Sequence, residues 1–364
     1  MGKRKYRSGT LEKGLDVLET LEHSSGPLRV RDVVGLTSLD RAAVFRLLCT
    51  LEDRGYIERH SDKRYLAIGR RRAPKIAYVA PLSGNSFRSD VTAGLRSAMA
   101  QAQMEPFFVD NEDLNLDSQL SVVQNIITSG VSLVIMFQCI GALGYVLVDR
   151  LIHAGVPVIS VDNPTPGALY FGGNSYRAGL MAGEALGQFA KARWNSSFDK
   201  LLLLESSLSA PEDRARTTGS VEGIREVLGD VPESKIMHLD GLAGREASRM
   251  ACAEAFGSLP AKSRVLISCF NDLSAAGALH AVRAAKHEKY AAIVGQNGTA
   301  ESRAELMLPE SPIIASVAYF PEKYGEKLIR LASLVLAHEK TPLAVYTDHV
   351  LLDHNNVQRY YTTL

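Results

Sequence analysis

Short apolar runs recur along the chain from residue 75 onward, and a stretch long enough for a helix separates each run from the next. Runs of this kind are typical of parallel strands that helices cover on both faces of the sheet. About ten such strands over roughly 290 residues favour two α/β lobes rather than a single sheet. The predicted strands are 75–80, 107–109, 133–137, 158–161, 201–204, 236–238, 265–268, 293–294 and 313–317.

The first 75 residues differ from the rest of the chain in charge. They carry 17 Lys and Arg against 10 Asp and Glu, a net charge of +7, whereas the remaining 289 residues carry 24 against 30, a net charge of −6. A small basic segment joined to a large acidic one indicates two domains with different partners. The basic domain suits an anionic polymer.

The basic segment is predicted to form three helices and a hairpin. Apolar residues recur at helical spacing, and Gly55 suits the end of the third helix. Helix, helix, helix and hairpin is the order of a winged helix-turn-helix, which places a recognition helix in the major groove of DNA. The predicted elements are helices 10–22, about 30–35 and about 40–54, then strands 56–59 and 64–67.

Side chains near the start of the third helix are the candidates for DNA contacts, because that end of a recognition helix meets the base edges. Basic residues elsewhere neutralise phosphates. The alternative is that these are solvated charges on a small helical domain, which explains any one arginine but not the whole set. The candidates are Arg41, Ala42, Phe45 and Arg46 on the helix, with Lys63 and Arg64 on the wing.

Two segments of this domain resemble the winged helices of IclR-type proteins. They are Ser8–Leu18, which reads SGTLEKGLDVL, and Val44–Ile57, which reads VFRLLCTLEDRGYI. The resemblance covers about residues 8–69 and implies binding to double-stranded DNA. That family places small hydroxyl residues where Ala42 and Ala43 stand. Since those hydroxyls would contact DNA, the operator preference of this protein need not follow the family's.

Polar residues follow several of the predicted strands of the larger domain, at the edge where open α/β sheets bind ligands. Amides and carboxylates pair with hydroxyl groups, and aromatic rings pack on C–H faces, so these loops suit a small hydroxylated ligand. The alternative is that Asn, Asp and Gly serve only as turn and helix-cap residues. That explains a single loop well, but five converging loops less well. The loops are 83–88, 162–163, 271–272, 295–299 and 319–320.

Five stretches of the larger domain resemble the periplasmic sugar-binding-protein and LacI-type sensor family, particularly its ribose-binding branch. The stretches are Gly130–Asn163, Gly173–Gly183, Phe270–Asp272, Ala275–Leu279 and Val294–Gly298, and the resemblance runs over about residues 75–355. It implies a two-lobed type I periplasmic-binding-protein-like fold. Lobe 1 is expected at about 75–174 and 319–344, and lobe 2 at about 175–318 and 345–364.

By that resemblance, Asp162 stands where a carboxylate grips sugar hydroxyls, and Tyr319 lies where the chain crosses between the lobes. An arginine of the 206–219 loop is also expected to reach the ligand, and the resemblance leaves open whether it is Arg214 or Arg216. The candidate ligand-binding residues are Asn85, Phe87, Asp162, Arg214, Arg216, Asn271, Asn297 and Tyr319.

The chain departs from both families in ways that limit the comparison. Asn163 and Asn297 stand where the ribose-binding branch has an arginine and an aspartate, and 137–139 replaces a more polar loop, so ribose itself is not implied. The LacI family has a different DNA-binding head with a hinge helix, and nothing in residues 67–75 resembles one. The coupling between the two domains therefore cannot be taken from either family.

An enzyme and a transport-type sugar-binding protein are the alternatives. The sequence contains no P-loop, no Gly-x-Ser-x-Gly, no His-Glu-x-x-His and no convincing histidine pair, so we expect neither catalysis nor a metal or cofactor. No apolar run is long enough to predict a membrane span. The basic N-terminus is not followed by the apolar segment of a signal peptide, so we expect a cytoplasmic protein rather than an exported one.

These patterns predict a cytoplasmic, ligand-responsive transcriptional regulator with two α/β lobes. The expected domains are a winged helix-turn-helix at 1–69, a basic linker at 70–74 and a ligand-sensing domain at 75–364. The expected partners are a DNA operator, a sugar-like effector and a second copy of the chain, because paired half-sites raise affinity and specificity. The effector, the operator and the choice between activation and repression stay open.

Overall fold

The computed structural model describes residues 8–24, 26–68, 73–81, 86–111, 113, 115–137, 141–207, 209 and 211–362, without the side chains of 141, 142, 211 and 212. The contacts divide the chain into two compact units, Met1–Pro74 and Lys75–Leu364, which are termed the head and the body. Among the described residues, no helix is long and apolar enough to cross a membrane.

Three helices and an antiparallel hairpin form the head, as the sequence predicted. In the hairpin Ile57 lies opposite Ala67, and Leu28 forms a further bridge to Tyr65. The elements are α1 Gly9–Glu22, α2 Val30–Thr37, α3 Arg41–Asp53, β1 Ile57–Arg59 and β2 Tyr65–Ala67. The buried core consists of Val17, Leu21, Val33, Val44, Leu48, Ile57 and Tyr65. This arrangement is a winged helix-turn-helix.

The leucine spacing of α1 predicted a helix correctly, but it does not mark the face that is buried. Val17 and Leu21 enter the core, whereas Leu11 and Leu15 are 62% and 47% exposed. A domain as small as the head has a core that can cover only part of each helix. The spacing of the leucines therefore predicts the helix, whereas the packing of neighbouring elements determines which of its apolar side chains are buried.

The first lobe of the body is built on a sheet of six parallel strands in the order β13-β7-β6-β5-β3-β4. Its central strands are apolar on both faces because helices cover both sides. The elements are β3 Lys75–Ala80, α4 Ser86–Gln101, β4 Glu105–Asp110, α5 Leu116–Thr128, β5 Leu133–Met136, α6 Gly141–His153, β6 Val158–Val161, β7 Leu169–Gly172, α12 Tyr324–Leu336 and β13 Ala344–Tyr346.

The second lobe has its own six-stranded sheet in the order β14-β12-β11-β10-β8-β9, in which β14 alone runs antiparallel to its neighbour. The elements are α7 Ser175–Trp194, β8 Lys200–Glu205, α8 Ala215–Leu228, β9 Ile236–Asp240, α9 Arg245–Ser258, β10 Val265–Cys269, α10 Asp272–Ala284, β11 Ala291–Asn297, α11 Ala300–Leu306, β12 Ile313–Ala318, β14 Val350–Asp353 and α13 Val357–Tyr360.

Three crossing segments, 173–174, 319–323 and 347–349, join the two lobes. The third lies slightly later than expected, because Val345 and Tyr346 still pair with β7 of the first sheet. Strands β7, β13 and β14 were not predicted. They have three or four residues each, and their extended backbone comes from pairing with a neighbouring strand rather than from a local apolar pattern.

Glycines hold α7 and α8 at unusually close range. A Cβ atom at Gly179 would lie 2.1 Å from the carbonyl oxygen of Arg216, and one at Gly183 would lie 2.1 Å from that of Ser220. From the other side, a Cβ atom at Gly219 would lie 2.3 Å from the carbonyl oxygen of Tyr176. The two helices therefore touch backbone to backbone, which fixes the start of α8 beside the start of α7.

Replacing Gly183 by Ala should destabilise the body by about 1–3 kcal/mol, because the added methyl group forces the two helices apart. Gly257→Ala in α9 is the matched control. Nothing lies within 4 Å of its Cβ position, so this change should raise stability by about 0.5–1 kcal/mol through helix propensity. Urea denaturation followed by the fluorescence of Trp194, the single tryptophan, measures both changes. Equal effects of the two substitutions would contradict the packing argument.

Candidate ligand cleft and DNA-binding face

A cavity of about 310 Å³ lies between the two lobes, where the carboxyl ends of both sheets meet. Ligands of parallel α/β sheets bind at this edge. The structure brings six of the candidate ligand residues together in the cavity wall. They are Phe87, Asp162, Arg216, Asn271, Asn297 and Tyr319.

Two candidates are not in that group. Asn85 lies outside the described residues. Arg214 is exposed and does not line the cavity, so of the two arginines in this loop only Arg216 faces the cleft. The reason is helical geometry, because residues two positions apart point in directions that differ by roughly 200°.

Asp162 is placed at the end of β6 with its backbone in the left-handed region, at φ 59°. Its Oδ1 atom accepts hydrogen bonds from the Gly173 amide at 3.3 Å and from the Tyr324 hydroxyl at 3.1 Å. Burial raises the pKa of this carboxyl to about 6. The side chain therefore holds the first crossing segment rather than the turn before Pro164.

Arg216 is fixed in the first turn of α8 by partners from three elements. Its Nη1 donates to the Phe270 carbonyl at 3.0 Å, its Nε donates to the Ser175 hydroxyl at 3.3 Å, and its Nη2 lies 3.4 Å from a carboxylate oxygen of Asp213. The guanidinium also stacks on the Phe270 ring, with its carbon 4.6 Å from the ring centroid. Because a guanidinium has five N–H donors, these contacts leave donors for a ligand in the cleft.

Asn271 and Asn297 occupy the ends of neighbouring strands in the second lobe. The Asn271 Oδ1 accepts the Ser274 amide at 2.8 Å and so caps α10, while its Nδ2 donates to the Ala243 carbonyl at 3.0 Å. Asn297 ends β11 at φ 109°. Behind it, the buried carboxylate of Asp272 accepts hydrogen bonds from the Thr299 amide and the Ser316 hydroxyl, both at 2.7 Å, which holds the turn in place.

Aromatic side chains cover both sides of the cavity. Phe87 and Phe137 come from the first lobe, and Phe270 comes from the second. Tyr319 lies in the second crossing segment and donates its hydroxyl to Gln296 Oε1 at 2.7 Å, so its polar end already has a partner within the protein. Such rings suit the C–H faces of a small hydroxylated molecule.

Several lining residues were not among the candidates. Arg88 and Asn163 lie in two of the predicted polar loops but were not named as ligand residues, and Phe137 was considered only as a difference from the ribose-binding branch. Apart from the two arginines, the loop after β8 was not expected to contribute, and no residue of the loop after β9 was predicted. The further lining residues from the second lobe are Ser206, Ser209, Asp213, Leu242, Ala243, Phe270 and Leu273.

The head presents the other candidate surface. Arg41, Ala42, Phe45 and Arg46 are exposed on one side of α3, and Ala43 beside them is half-buried. Asp40 caps this helix by accepting the Ala43 amide at 2.9 Å, so the end of α3 that carries the two arginines is well formed. The exposed side of α3 is therefore basic with one aromatic ring.

On the wing, Lys63 is exposed at the turn with φ 61°, and the Arg64 guanidinium lies 2.5 Å from the Asp62 carboxylate. Arg64 therefore forms an ion pair with Asp62. Among the described residues, no acidic side chain lies within ion-pair distance of Lys63. Residues 70–72 of the predicted basic linker lie outside the described residues.

Comparisons with known proteins agree with this architecture. The model of the IclR helix-turn-helix domain matches residues 10–61, and the model of the periplasmic binding protein domain matches residues 76–340. No curated protein matches the chain significantly.

Solved structures share the fold of the body at low sequence identity. A periplasmic solute-binding protein of an ABC transporter from Actinobacillus succinogenes, with bound D-allose, is 17% identical at a TM-score of 0.68, over 79% of this chain and 100% of that chain. A solute-binding protein of an ABC transporter from Agrobacterium vitis, with bound allitol, is 16% identical at a TM-score of 0.69, over 80% of this chain and 99% of that chain. Another, from Bacillus halodurans with bound myo-inositol, is 18% identical at a TM-score of 0.67, over 80% of this chain and 98% of that chain.

The family match to the body covers well over half of the chain, and the two lobes, their crossing segments and the cleft between them agree with it. The chain belongs to the periplasmic binding protein domain family and carries an IclR-type helix-turn-helix domain at its N-terminal end.

Proposed function

We propose that this protein is a cytoplasmic, ligand-responsive transcriptional regulator. The observation that carries the proposal is the presence, in one chain, of a winged helix-turn-helix with an exposed basic recognition helix and a two-lobed domain with a polar cleft. A transport protein does not need a winged helix-turn-helix. We also propose that the protein senses its ligand without converting it, so NMR should recover the ligand unchanged after incubation.

The proposed effector is a monosaccharide or a related polyol. The cleft offers two carboxylates, two guanidinium groups, amides and hydroxyls to hydroxyl groups, and aromatic rings to C–H faces. Proteins that share the fold hold D-allose, allitol and myo-inositol, which supports this class of ligand. A thermal-shift screen of sugars and polyols tests it, since a ligand at about 100 times its Kd adds roughly 2.7 kcal/mol of stability.

The proposed mechanism is closure of the lobes on the effector. Tyr319 lines the cleft and also belongs to a crossing segment, so a ligand that packs on its ring acts on the connection between the lobes. In a dimer, closure would change the spacing or orientation of two heads. The coupling between effector and operator is expected to be about 1–3 kcal/mol, as in other allosteric proteins.

Asp162→Asn should weaken binding of the effector at least about tenfold, because a charged acceptor strengthens each hydrogen bond from a ligand hydroxyl. The amide oxygen can still accept from Gly173 and Tyr324, so the fold should persist. The carboxyl has a pKa of about 6 and is ionised above it. Wild-type affinity should therefore fall as the pH is lowered from 7 to 5, and the variant should lose this dependence. Calorimetry at several pH values measures the affinity and its pH dependence for both proteins.

The matched control for this experiment is Asp149→Asn, which changes an exposed aspartate of α6 that is not part of the cavity lining. It should leave both the affinity and its pH dependence unchanged. Unchanged affinity of the Asp162 variant for the effector would remove this carboxylate from the site.

Arg46→Ala and Lys63→Ala should weaken DNA binding in different ways. Arg46 lies on the exposed side of α3, so its loss should cost about 1–3 kcal/mol on the operator and relax specificity. Lys63 lies on the wing, so its loss should weaken binding to all sequences alike and reduce the slope of log K against log salt by about one. Gel-shift titrations over a salt series separate the two. DNA binding that survives deletion of residues 1–75 would disprove the proposal.

We further propose that the protein acts as a homodimer on a two-fold-related operator. One winged helix reads a short stretch of DNA, and pairing of half-sites is the usual way to gain affinity and specificity. Sedimentation equilibrium should give twice the chain mass of 39.6 kDa at working concentration. A monomer both with and without operator DNA would contradict this.

A further inference from the structure

One part of the cleft does not suit a fully hydroxylated sugar. Leu242, Ala243, Phe270 and Leu273 line the cavity from the second lobe, and they are termed the apolar wall. The hydrogen bond from Asn271 Nδ2 to the Ala243 carbonyl joins the loop after β9 to the start of α10, which brings the two leucines to one side of the cavity. Nothing on these side chains can pair with a hydroxyl group.

Leu242 differs from the other residues of this wall because its exposure and its backbone conformation are both unfavourable for a leucine. Its side chain is 45% exposed, and both Leu242 and Ala243 have left-handed backbones, at φ 49° and 53°. A large side chain rarely adopts that conformation, which is strained and is typically kept where it serves a binding site. The fold therefore holds a partly exposed leucine with a strained backbone in the lining of the cleft.

The strained loop is firmly built. Asp240 Oδ1 accepts hydrogen bonds from the amides of Ser207 and Leu242, both at 3.1 Å, and the Gly244 amide donates to the Gly241 carbonyl at 2.9 Å. These bonds tie the loop after β9 to the loop after β8, which also lines the cavity. Leu242 is thus presented to the cleft by a rigid support.

Most of the remaining lining is polar. Charged and amide groups come from both lobes, namely Arg88, Asp162 and Asn163 from the first and Asp213, Arg216, Asn271 and Asn297 from the second. A ligand that fits the whole cavity has hydroxyl groups for these side chains and an apolar group for the apolar wall. A hexose places a hydroxymethyl group where a 6-deoxyhexose places a methyl group, and a hydroxyl group buried against leucines without a partner weakens binding.

We propose that the effector is a 6-deoxyhexose whose methyl group packs against the apolar wall, with Leu242 as the main determinant of this preference. The inference rests on the proposed function, since it names the ligand of the same cleft. The sugar ring lies between the aromatic side chains, its hydroxyls face Asp162 and Arg216, and its C6 methyl group meets Leu242 and Leu273.

The test compares matched pairs of sugars that differ only at C6, such as D-fucose with D-galactose, L-fucose with L-galactose, L-rhamnose with L-mannose, and 6-deoxy-D-glucose with D-glucose. Calorimetry on the full-length protein should show that one 6-deoxy sugar binds roughly tenfold or more tightly than its hydroxylated partner. A hexose that binds as tightly as its 6-deoxy partner would overturn the inference and leave the sugar-sensing function standing. Failure of every sugar and polyol to bind would instead overturn the proposed function.

A second measurement separates selection of the methyl group from a simple closing contact between the lobes. Leu242→Ser should reduce the ratio of the two affinities towards one, because the introduced hydroxyl can pair with that of the hexose. Leu308→Ser, at an exposed leucine that does not line the cavity, should leave the ratio unchanged. If Leu242→Ser weakens both sugars equally, Leu242 only closes the cleft and the assignment is wrong.

Discussion

The body depends on one joint, at which the three crossing segments meet. A Cβ atom at Gly173 would lie 2.2 Å from the Tyr319 ring, so only glycine lets the first and second segments come together. The Tyr319 ring in turn packs edge-on against His349 of the third segment, with their centroids 4.5 Å apart. The Asn174 amide donates to His349 Nε2 at 2.9 Å, and burial lowers the pKa of this histidine to about 4, which keeps the ring neutral and able to accept.

The cavity and this joint share residues, and the proposed link between ligand binding and lobe movement rests on this overlap. Tyr319 lines the cavity, and Asp162 both lines it and accepts the Gly173 amide. A ligand hydroxyl that donates a hydrogen bond to Asp162 acts on the same carboxylate that holds the first crossing segment through the Gly173 amide. Under the proposed function, the side chains that recognise the effector are also those that hold the crossing segments, so binding acts on the joint directly.

The sequence was sufficient to predict the buried strands and the long helices, because each has an apolar pattern of its own. It could not predict strands β7, β13 and β14, whose extended backbone depends on pairing with a neighbour rather than on a local pattern. The same limit applies to the buried face of α1. Leu11 has the spacing of a core residue but is exposed. Local periodicity predicts an element, and only tertiary contacts decide its surroundings.

The rule that ligands bind at strand ends was enough to predict that Asp162, Asn271, Asn297 and Tyr319, from four separate parts of the sequence, lie in the wall of one cavity. It could not separate Arg214 from Arg216, since that depends on where α8 begins, and it missed Leu242 because no polar group marks an apolar wall.

Asn271 shows why the choice between a ligand residue and a helix cap could not be made from the sequence. Its side chain caps α10 and lines the cleft at once. In a parallel α/β sheet the start of each helix lies beside the end of a strand, so a capping side chain is placed at the ligand edge by the same geometry. The two roles are therefore not alternatives, and capping fixes the side chain in the position from which it can meet a ligand.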